Sequence, residues 1–484
     1  MNEIPLLEAL KKSAQKPHAA FYAPGHKQGQ GCDRNIIDLI GKDVFNADLP
    51  ELPELDNLFA PVGVINKAQE LAAKTFDADK TWFLVNGSTC GIMAAILATC
   101  NDGDKIILPR NIHQSAIAGL VFSGAIPIFV QPEYDFDERL AYNLTPEAVQ
   151  QALTEHPDTK AVMMLHPTYQ GICSDLQAIA DLTHQYNIPL LVDEAHGAHF
   201  AFHKDLPPSA MSLGADLTVQ STHKTLSAMT QASMLHIQGT KVCGQKITKA
   251  LQLVQSTSPS YLLLSSLDAA RHQMATKGKE LMTKTIALAT EARNRLATIP
   301  RLSVLQPNTK PGCHHCDLTR LTIDVSKLGM TGFEADEILH EQLGVTCELP
   351  LLQHLTFIIS LGNTPKDIQQ LIQACQTLAS SPHYAKRYPL GLPISPTPPF
   401  PYTPTSPITP RQAYFASTQT IPINEAGDRL CGELICPYPP GIPLLMPGEV
   451  ITIEAIEYLQ QVLAAGGTIT GCNDPTLQTI QVLK

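Results

Sequence analysis

Between residues 81 and 220, short apolar runs alternate with amphipathic ones, and this alternation restricts the fold more than any other feature of the chain. TWFLVN (81–86), KIILP (105–109), IPIFV (126–130), AVMMLHP (161–167), IPLLVDEAH (188–196) and LTVQ (217–220) read as buried strands bounded by turn residues. Helical periodicity fills the gaps: NKAQELAAKTF (66–76) precedes the first strand, and GIMAAILATC (91–100), PEAVQQALTEH (146–156) and DLQAIADLTHQYN (175–187) follow later ones. Strands and helices in strict alternation predict an α/β fold, a parallel sheet wrapped by helices. The run at 91–100 is the longest apolar one and is far too short for a bilayer, so no membrane association is expected.

With 484 residues the chain exceeds one ordinary core, and its texture changes several times. Residues 1–60 are rich in Pro, Gly and Asp and read as an N-terminal arm. Residues 61–300 carry the alternating pattern and close with helical runs at 246–255 and about 265–298. Residues 301–388 have an α+β texture, with RLTIDV (320–325), FEADEILHEQLG (333–344) and LTFIISLG (355–362). Nine prolines between 389 and 410 exclude helix or central strand there, so that stretch is a linker or insert. Residues 411–484 form a last block. The net charge of −11, from 34 basic and 45 acidic residues, comes with no Lys/Arg cluster, which argues against nucleic acid and is compatible with a cationic substrate. Twelve scattered cysteines fit a reducing compartment, and the amphipathic start MNEIPLLEALKKSAQK has no signal-peptide core, so a cytoplasmic protein is expected. Cys313 and Cys316 in PGCHHCDL lack a second ligand pair at zinc-finger spacing; they read as ordinary residues at a strand entrance, and no metal is expected.

Three local features carry chemistry. Gly87-Ser88-Thr89 sits between a strand and a helix, where backbone amides, helix dipole and hydroxyls make an anion cradle; a capping turn is an equal reading. Asp193 closes a buried strand, at the edge where open α/β sheets bind ligands, and a buried carboxylate there needs a cation; otherwise it caps the next helix. Lys224, in QSTHKTLSA (220–228), is a lone lysine among hydroxyls, either a solvated side chain or an amine kept for a Schiff base. Cradle, carboxylate and lysine in this order are the parts pyridoxal phosphate needs: a phosphate holder, a partner for the pyridine nitrogen and an amine for the aldehyde.

The chain resembles the Orn/Lys/Arg decarboxylase family of fold-type I pyridoxal phosphate enzymes. The resemblance runs through APGHKQGQG (23–31), LDNLFAPVGVINKAQELAA (55–73), LVNGSTCGI (84–92), PRNIHQSA (109–116), HPTYQGI (166–172), DEAHGAH (193–199), STHKTL (221–226) and PYPPGIPLLMPGE (437–449). It implies an aspartate aminotransferase-like large domain with a mainly parallel seven-stranded sheet, plus a smaller α+β C-terminal domain. It also implies pyridoxal 5'-phosphate as cofactor and decarboxylation of a basic L-amino acid. Arginine or lysine is slightly preferred over ornithine, with agmatine, cadaverine or putrescine as product and polyamine biosynthesis as the setting. By the same resemblance Lys224 is the Schiff-base lysine and Asp193 pairs with the ring nitrogen. Ser88, Thr89, Ser221 and His223 hold the phosphate, His113 stacks on the ring, and His196 lines the pocket. Lys224, with His223 or His196 as alternatives, returns a proton to Cα. Thr168 and Tyr169 lie near the cofactor, and Thr168 is a substrate-binding candidate. Glu348 and Glu449 are candidates for the substrate's distal cation, beside Glu51, Glu54 and Asp56 in the arm. A homodimer or higher homo-oligomer with shared sites is implied. Gln114 and Gln412 replace the lysine and glutamate common in relatives, and no receiver-like N-terminal domain is seen, as in the short form. Two other readings stay open. One is an aminotransferase or lyase of the same fold, with Arg411 or Arg429 on the substrate carboxylate. The other is a non-catalytic cofactor-binding relative.

Overall fold

The computed structural model describes residues 2–380, except His18 and Asn308, and residues 406–484; the proline-rich stretch lies outside the described residues over 389–405. The chain divides into two compact units, one of residues 1–99, 191–204 and 208–282, the other of residues 100–190, 205–207 and 283–484. Among the described residues no helix is long and apolar enough to cross a membrane.

Seven strands follow one another as β1 (Lys80–Leu84), β2 (Lys105–Pro109), β3 (Ile126–Val130), β4 (Ala161–Leu165), β5 (Leu190–Asp193), β6 (Leu217–Gln220) and β7 (Ser233–Ile237). Their sheet order is β1-β7-β6-β5-β4-β2-β3. The pairs β2–β3, β2–β4 and β5–β6 are parallel, and β7 runs antiparallel to both β1 and β6. The sheet is therefore mainly parallel and seven-stranded, as the resemblance implies. Six of these strands are the apolar runs read from the sequence. The seventh, SMLHI, is not among them because His236 interrupts its apolar pattern.

In the first unit the helix Gly87–Thr99 lies close on the sheet. A Cβ at Gly91 would come within 2.7 Å of Leu84 and of Val219, so only glycine permits this approach. The first helix, Pro5–Ala14, is tied to the 36-residue helix Tyr261–Leu296. Fully buried Asp268 accepts the backbone amides of Leu6 and Leu7 at 2.9 and 3.4 Å. Buried Arg271 pairs with Asp268 and donates to the Glu3 carbonyl at 2.7 Å.

The second unit carries two further cores. An antiparallel sheet of β8 (Ser303–Val304), β9 (Arg320–Asp324), β10 (Leu349–Pro350) and β11 (His354–Ile358), in the order β8-β9-β11-β10, is covered by the helices Gly332–Leu343 and Pro365–Ser380. A capping box starts the first of these helices: Thr331 accepts the Glu334 amide while the Glu334 side chain accepts the Thr331 amide. Residues 418–484 pair β12 (Thr418–Pro422) with β15 (Thr479–Leu483), and β13 (Cys436–Tyr438) with β14 (Thr468–Thr470), around the helix Ile453–Ala464.

Candidate active site

The first unit gathers most of the residues expected to carry chemistry. Asp193 ends β5 and Ser221 follows β6, because in parallel strands the carboxyl ends share one edge. Asp193 is buried and its Oδ1 accepts the Ala195 amide at 3.1 Å. Burial raises its pKa, against the Ala195 bond and the charge of Lys224. A carboxylate so placed is incomplete without a cation, which fits a protonated ring nitrogen.

Past β6 the chain makes one short helical turn, Thr222–Thr225, that carries His223 and Lys224. Lys224 Nζ lies 3.0 Å from His196 Nε2. Ser221 Oγ donates to Ser88 Oγ at 2.8 Å, joining the turn to the start of the helix Gly87–Thr99. Ser88 is half-buried and Thr89 exposed. The buried Oγ1 atoms of Thr222 and Thr225 have no hydrogen-bond partner among the described residues. Hydroxyls, helix N-terminus and turn together form a donor set that suits a phosphate. His223 Nδ1 donates to the Ala232 carbonyl at 2.9 Å, which leaves Nε2 as the acceptor of a neutral ring. Burial lowers the His223 pKa, with the Ala232 bond opposing and Lys224 assisting.

His113, Thr168, Glu348 and Glu449 belong to the second unit. His113 is half-buried and caps the helix Gln114–Ser123; its Nδ1 accepts the Ser115 amide at 3.2 Å, so the ring proton sits on Nε2. The loop PYPPG lies against it: Gln114 N donates to the Gly441 carbonyl at 3.2 Å, and a Cβ at Gly441 would stand 3.4 Å from His113 Nε2. Buried Thr168 accepts the Ile172 amide on Oγ1 at 3.2 Å and closes a turn. The Tyr169 hydroxyl donates to the Pro440 carbonyl at 3.0 Å.

The acids considered for a substrate cation fare differently from expectation. Glu449 is 1 % exposed, and its Oε2 accepts Arg110 Nη2 at 2.9 Å and the Met446 amide at 2.8 Å. Arg110 also donates to the carbonyls of Pro443 and Leu444 at 2.7 and 2.8 Å. The pair thus pins the 437–449 loop, and Glu449 is a structural acid; the sequence reading missed Arg110. Glu348 is exposed. Asp56 accepts the Val62, Gly63 and Ile65 amides and organises the start of the helix Val64–Thr75. Glu51 holds Asn57 at 2.7 Å, and Glu54 pairs with Lys16, which lowers its pKa to about 2. Cys313 Sγ and Cys316 Sγ lie 3.3 Å apart.

Comparison with known proteins decides the family. The model of the Orn/Lys/Arg decarboxylase major domain matches residues 4–322, and that of the C-terminal domain matches residues 399–475. The chain belongs to the Orn/Lys/Arg decarboxylase family. Members of this family are pyridoxal phosphate-dependent carboxy-lyases acting on basic amino acids. An arginine decarboxylase of Bacillus subtilis (strain 168) is 39 % identical over 100 % of this chain and 98 % of its own length. The lysine decarboxylase LdcA of Pseudomonas aeruginosa is 23 % identical over 93 % of this chain and 74 % of its own. Among solved structures, the Francisella novicida lysine decarboxylase LdcF aligns with a TM-score of 0.84, at 23 % identity, over 100 % of this chain and 81 % of that one. That likeness supports the fold.

Proposed function

We propose that this family member decarboxylates L-arginine to agmatine and CO₂, with pyridoxal 5'-phosphate held on Lys224. The observation that carries the reading is the buried Asp193, raised in pKa and lacking a full counter-charge, on the strand edge that also presents the Lys224–His196 pair. Arginine is favoured over lysine because the 39 % identical, full-length relative is an arginine decarboxylase, whereas the lysine decarboxylases stand at 23 %.

Pyridoxal phosphate supplies, when bound, the electron sink for the bond to the departing carboxylate. The chain's own residues do the rest. Lys224 Nζ is the attachment amine, and His196 Nε2, within 3.0 Å, can take or return a proton there. Asp193, buried, would hold positive charge at the ring nitrogen in a site of low dielectric. Ser88 and Thr89 would donate to the phosphate, with Ser221, whose hydroxyl donates to Ser88, holding the Ser88 hydroxyl in place. His223, neutral by burial, presents Nε2 and would draw a second proton onto it beside a phosphate dianion. His113 offers a ring of fixed tautomer for stacking. Lys224 is the first candidate to protonate Cα, with His196 and His223 after it. Glu348 remains the exposed candidate for the guanidinium end.

A second copy of the chain is part of this proposal. The helix Arg34–Ile40 buries no residue, and Leu39 is 78 % exposed, as are Phe21 at 95 % and Val62 at 90 %. Apolar side chains so placed need a covering surface, and a homodimer supplies one.

The test is CO₂ release from cofactor-loaded protein given L-arginine, L-lysine and L-ornithine separately. Release from arginine, abolished by Lys224→Ala, is the expected result. Release from lysine alone would reassign the substrate, and formation of a keto acid in place of CO₂ would move the protein to aminotransferase chemistry.

A further inference from the structure

Adjacent residues of a strand face opposite sides of its sheet. Asp193 pairs in register with Val219, so Glu194 and Gln220 point to the other face, away from Asp193. On that face His236 pairs in register with Thr218 and with Thr81. Besides Thr218, four buried polar side chains share this face: Thr81 and Gln220 are 1 % exposed, His236 and Glu194 0 %. They are bonded in series. Thr81 Oγ1 lies 2.7 Å from His236 Nδ1, and His236 Nε2 lies 3.1 Å from Gln220 Oε1. Gln220 Nε2 donates to Glu194 Oε2 at 2.7 Å, and the Ala210 amide donates to Glu194 Oε1 at 2.7 Å.

We propose that Glu194, Gln220, His236 and Thr81 are positioning residues. They form a directional hydrogen-bond chain that fixes the strand end bearing Asp193 against the strand end bearing Ser221 and Lys224, and the protonation of Glu194 is mirrored in the tautomer of His236. The inference rests on the proposed roles of Asp193 and Lys224. Its geometric core is that each end residue of the chain's acid half is the sequence neighbour of a cofactor anchor: Glu194 follows Asp193, and Gln220 precedes Ser221. A rung that sets the spacing of these strand ends sets the spacing between the ring-nitrogen partner and the phosphate cradle.

Direction follows from donor count. The Ala210 amide can only donate. With Glu194 ionised, Gln220 donates its amide nitrogen to the carboxylate and offers its oxygen to His236, which must carry its proton on Nε2 and accept from Thr81. With Glu194 protonated on Oε2, the acid donates to the Gln220 oxygen. The amide then turns over, and His236 must carry its proton on Nδ1 and donate to Thr81. Both arrangements match donor to acceptor at each link from Glu194 to Thr81, and no mixed one does. Burial pushes Glu194 up to about 8, against the Gln220 and Ala210 bonds, so both states lie within reach of ordinary pH. Burial pushes His236 down to about 3, so the ring stays neutral and responds by tautomer alone. Facing Glu194 are an uncharged amide and, beyond it, His236; Asp216 precedes the strand of Gln220, and Asp193 faces the other way.

The experiment is nitrogen NMR of the cofactor-free, full-length protein labelled with [15N]histidine, with His236 assigned by its loss in His236→Gln. Above the Glu194 value of about 8, the Nε2–H tautomer is expected, passing to Nδ1–H as pH falls through it. Glu194→Gln is expected to show Nδ1–H at every pH, and the exchanged double variant E194Q/Q220E to restore Nε2–H. In the holoenzyme, E194Q should lower kcat about tenfold, the scale of a small misplacement rather than of a lost reacting group, and the exchange should recover it. A His236 tautomer indifferent to both pH and E194Q overturns the chain. A tautomer that switches while kcat and cofactor affinity stay unchanged overturns the positioning role. If E194Q does not fold, the pH titration of the unmodified protein decides the first point. Because the NMR readout needs no cofactor, failure of the Asp193 and Lys224 assignments would show in turnover and leave it intact.

Discussion

Glu194 and Glu449 are both wholly buried glutamates beside expected cofactor segments, yet they are satisfied in different ways. Glu449 faces a guanidinium, Arg110, that also binds two carbonyls of its own loop. Glu194 faces only an amide side chain and a backbone N–H. Burial raises the pKa of each. In one place the charge is needed to neutralise another charge; in the other it is optional. An ion pair makes a fixed clamp, and a neutral chain makes a joint with two permitted states.

The sharpest way to break this contrast is to make equivalent cuts. Arg110→Met strands the Glu449 carboxylate and should cost about 3–5 kcal/mol of unfolding free energy, the usual price of half a buried pair. Adding Glu449→Met should return only part of that, because the Pro443 and Leu444 carbonyls stay without their donor. Urea titration of the two variants reads both numbers, and full recovery in the double variant would show that the carbonyl bonds contribute nothing. Glu194→Gln strands no charge, and its signature is in pH. The Glu194 value is raised from 4.5 to about 8, so the folded state holds the proton longer and stability declines as pH rises between those values. Within that window the slope is about 1.4 kcal/mol per pH unit, and the variant should flatten it. His236 works with the opposite sign. Its value falls from 6.5 to about 3, so stability is lost as pH drops through that range, and His236→Gln should remove this acid limb of the melting profile. The smallest effect is a control outside the hydrogen-bond sets of both glutamates: Thr331→Ala, which breaks a capping box, should cost about 1 kcal/mol with no pH dependence between 5 and 8.

What the sequence disclosed follows the same division. The places of Asp193, Gly87-Ser88-Thr89 and Lys224 were legible because each lies at or just past a strand end, where local pattern reveals position; Ser221 came from the family resemblance. The six apolar strands were legible for the same reason. Glu449 was misread as a substrate acid because its partner is 339 residues away, and nothing in PGE announces an arginine. Asp56, Glu51 and Glu54 were named as candidates because their partners, backbone amides for Asp56, Asn57 for Glu51 and Lys16 for Glu54, leave no trace in composition. The chain from Glu194 to Thr81 depends on β7 pairing antiparallel with both β1 and β6, a matter of sheet order that periodicity does not encode. Its one visible signal was polarity out of place: a glutamine and a histidine inside buried apolar strands.

The fastening of the first helix to Asp268 has a consequence for exchange with solvent. Chain ends ordinarily fray, and their amide hydrogens swap with heavy water within moments of mixing. Here the amides of Leu6 and Leu7 are bonded to a side chain of the long helix, and both partners of the Leu6 bond are fully buried. Their deuterium uptake should follow the slow clock of the 261–296 helix, with the chain's beginning exchanging as late as part of its interior.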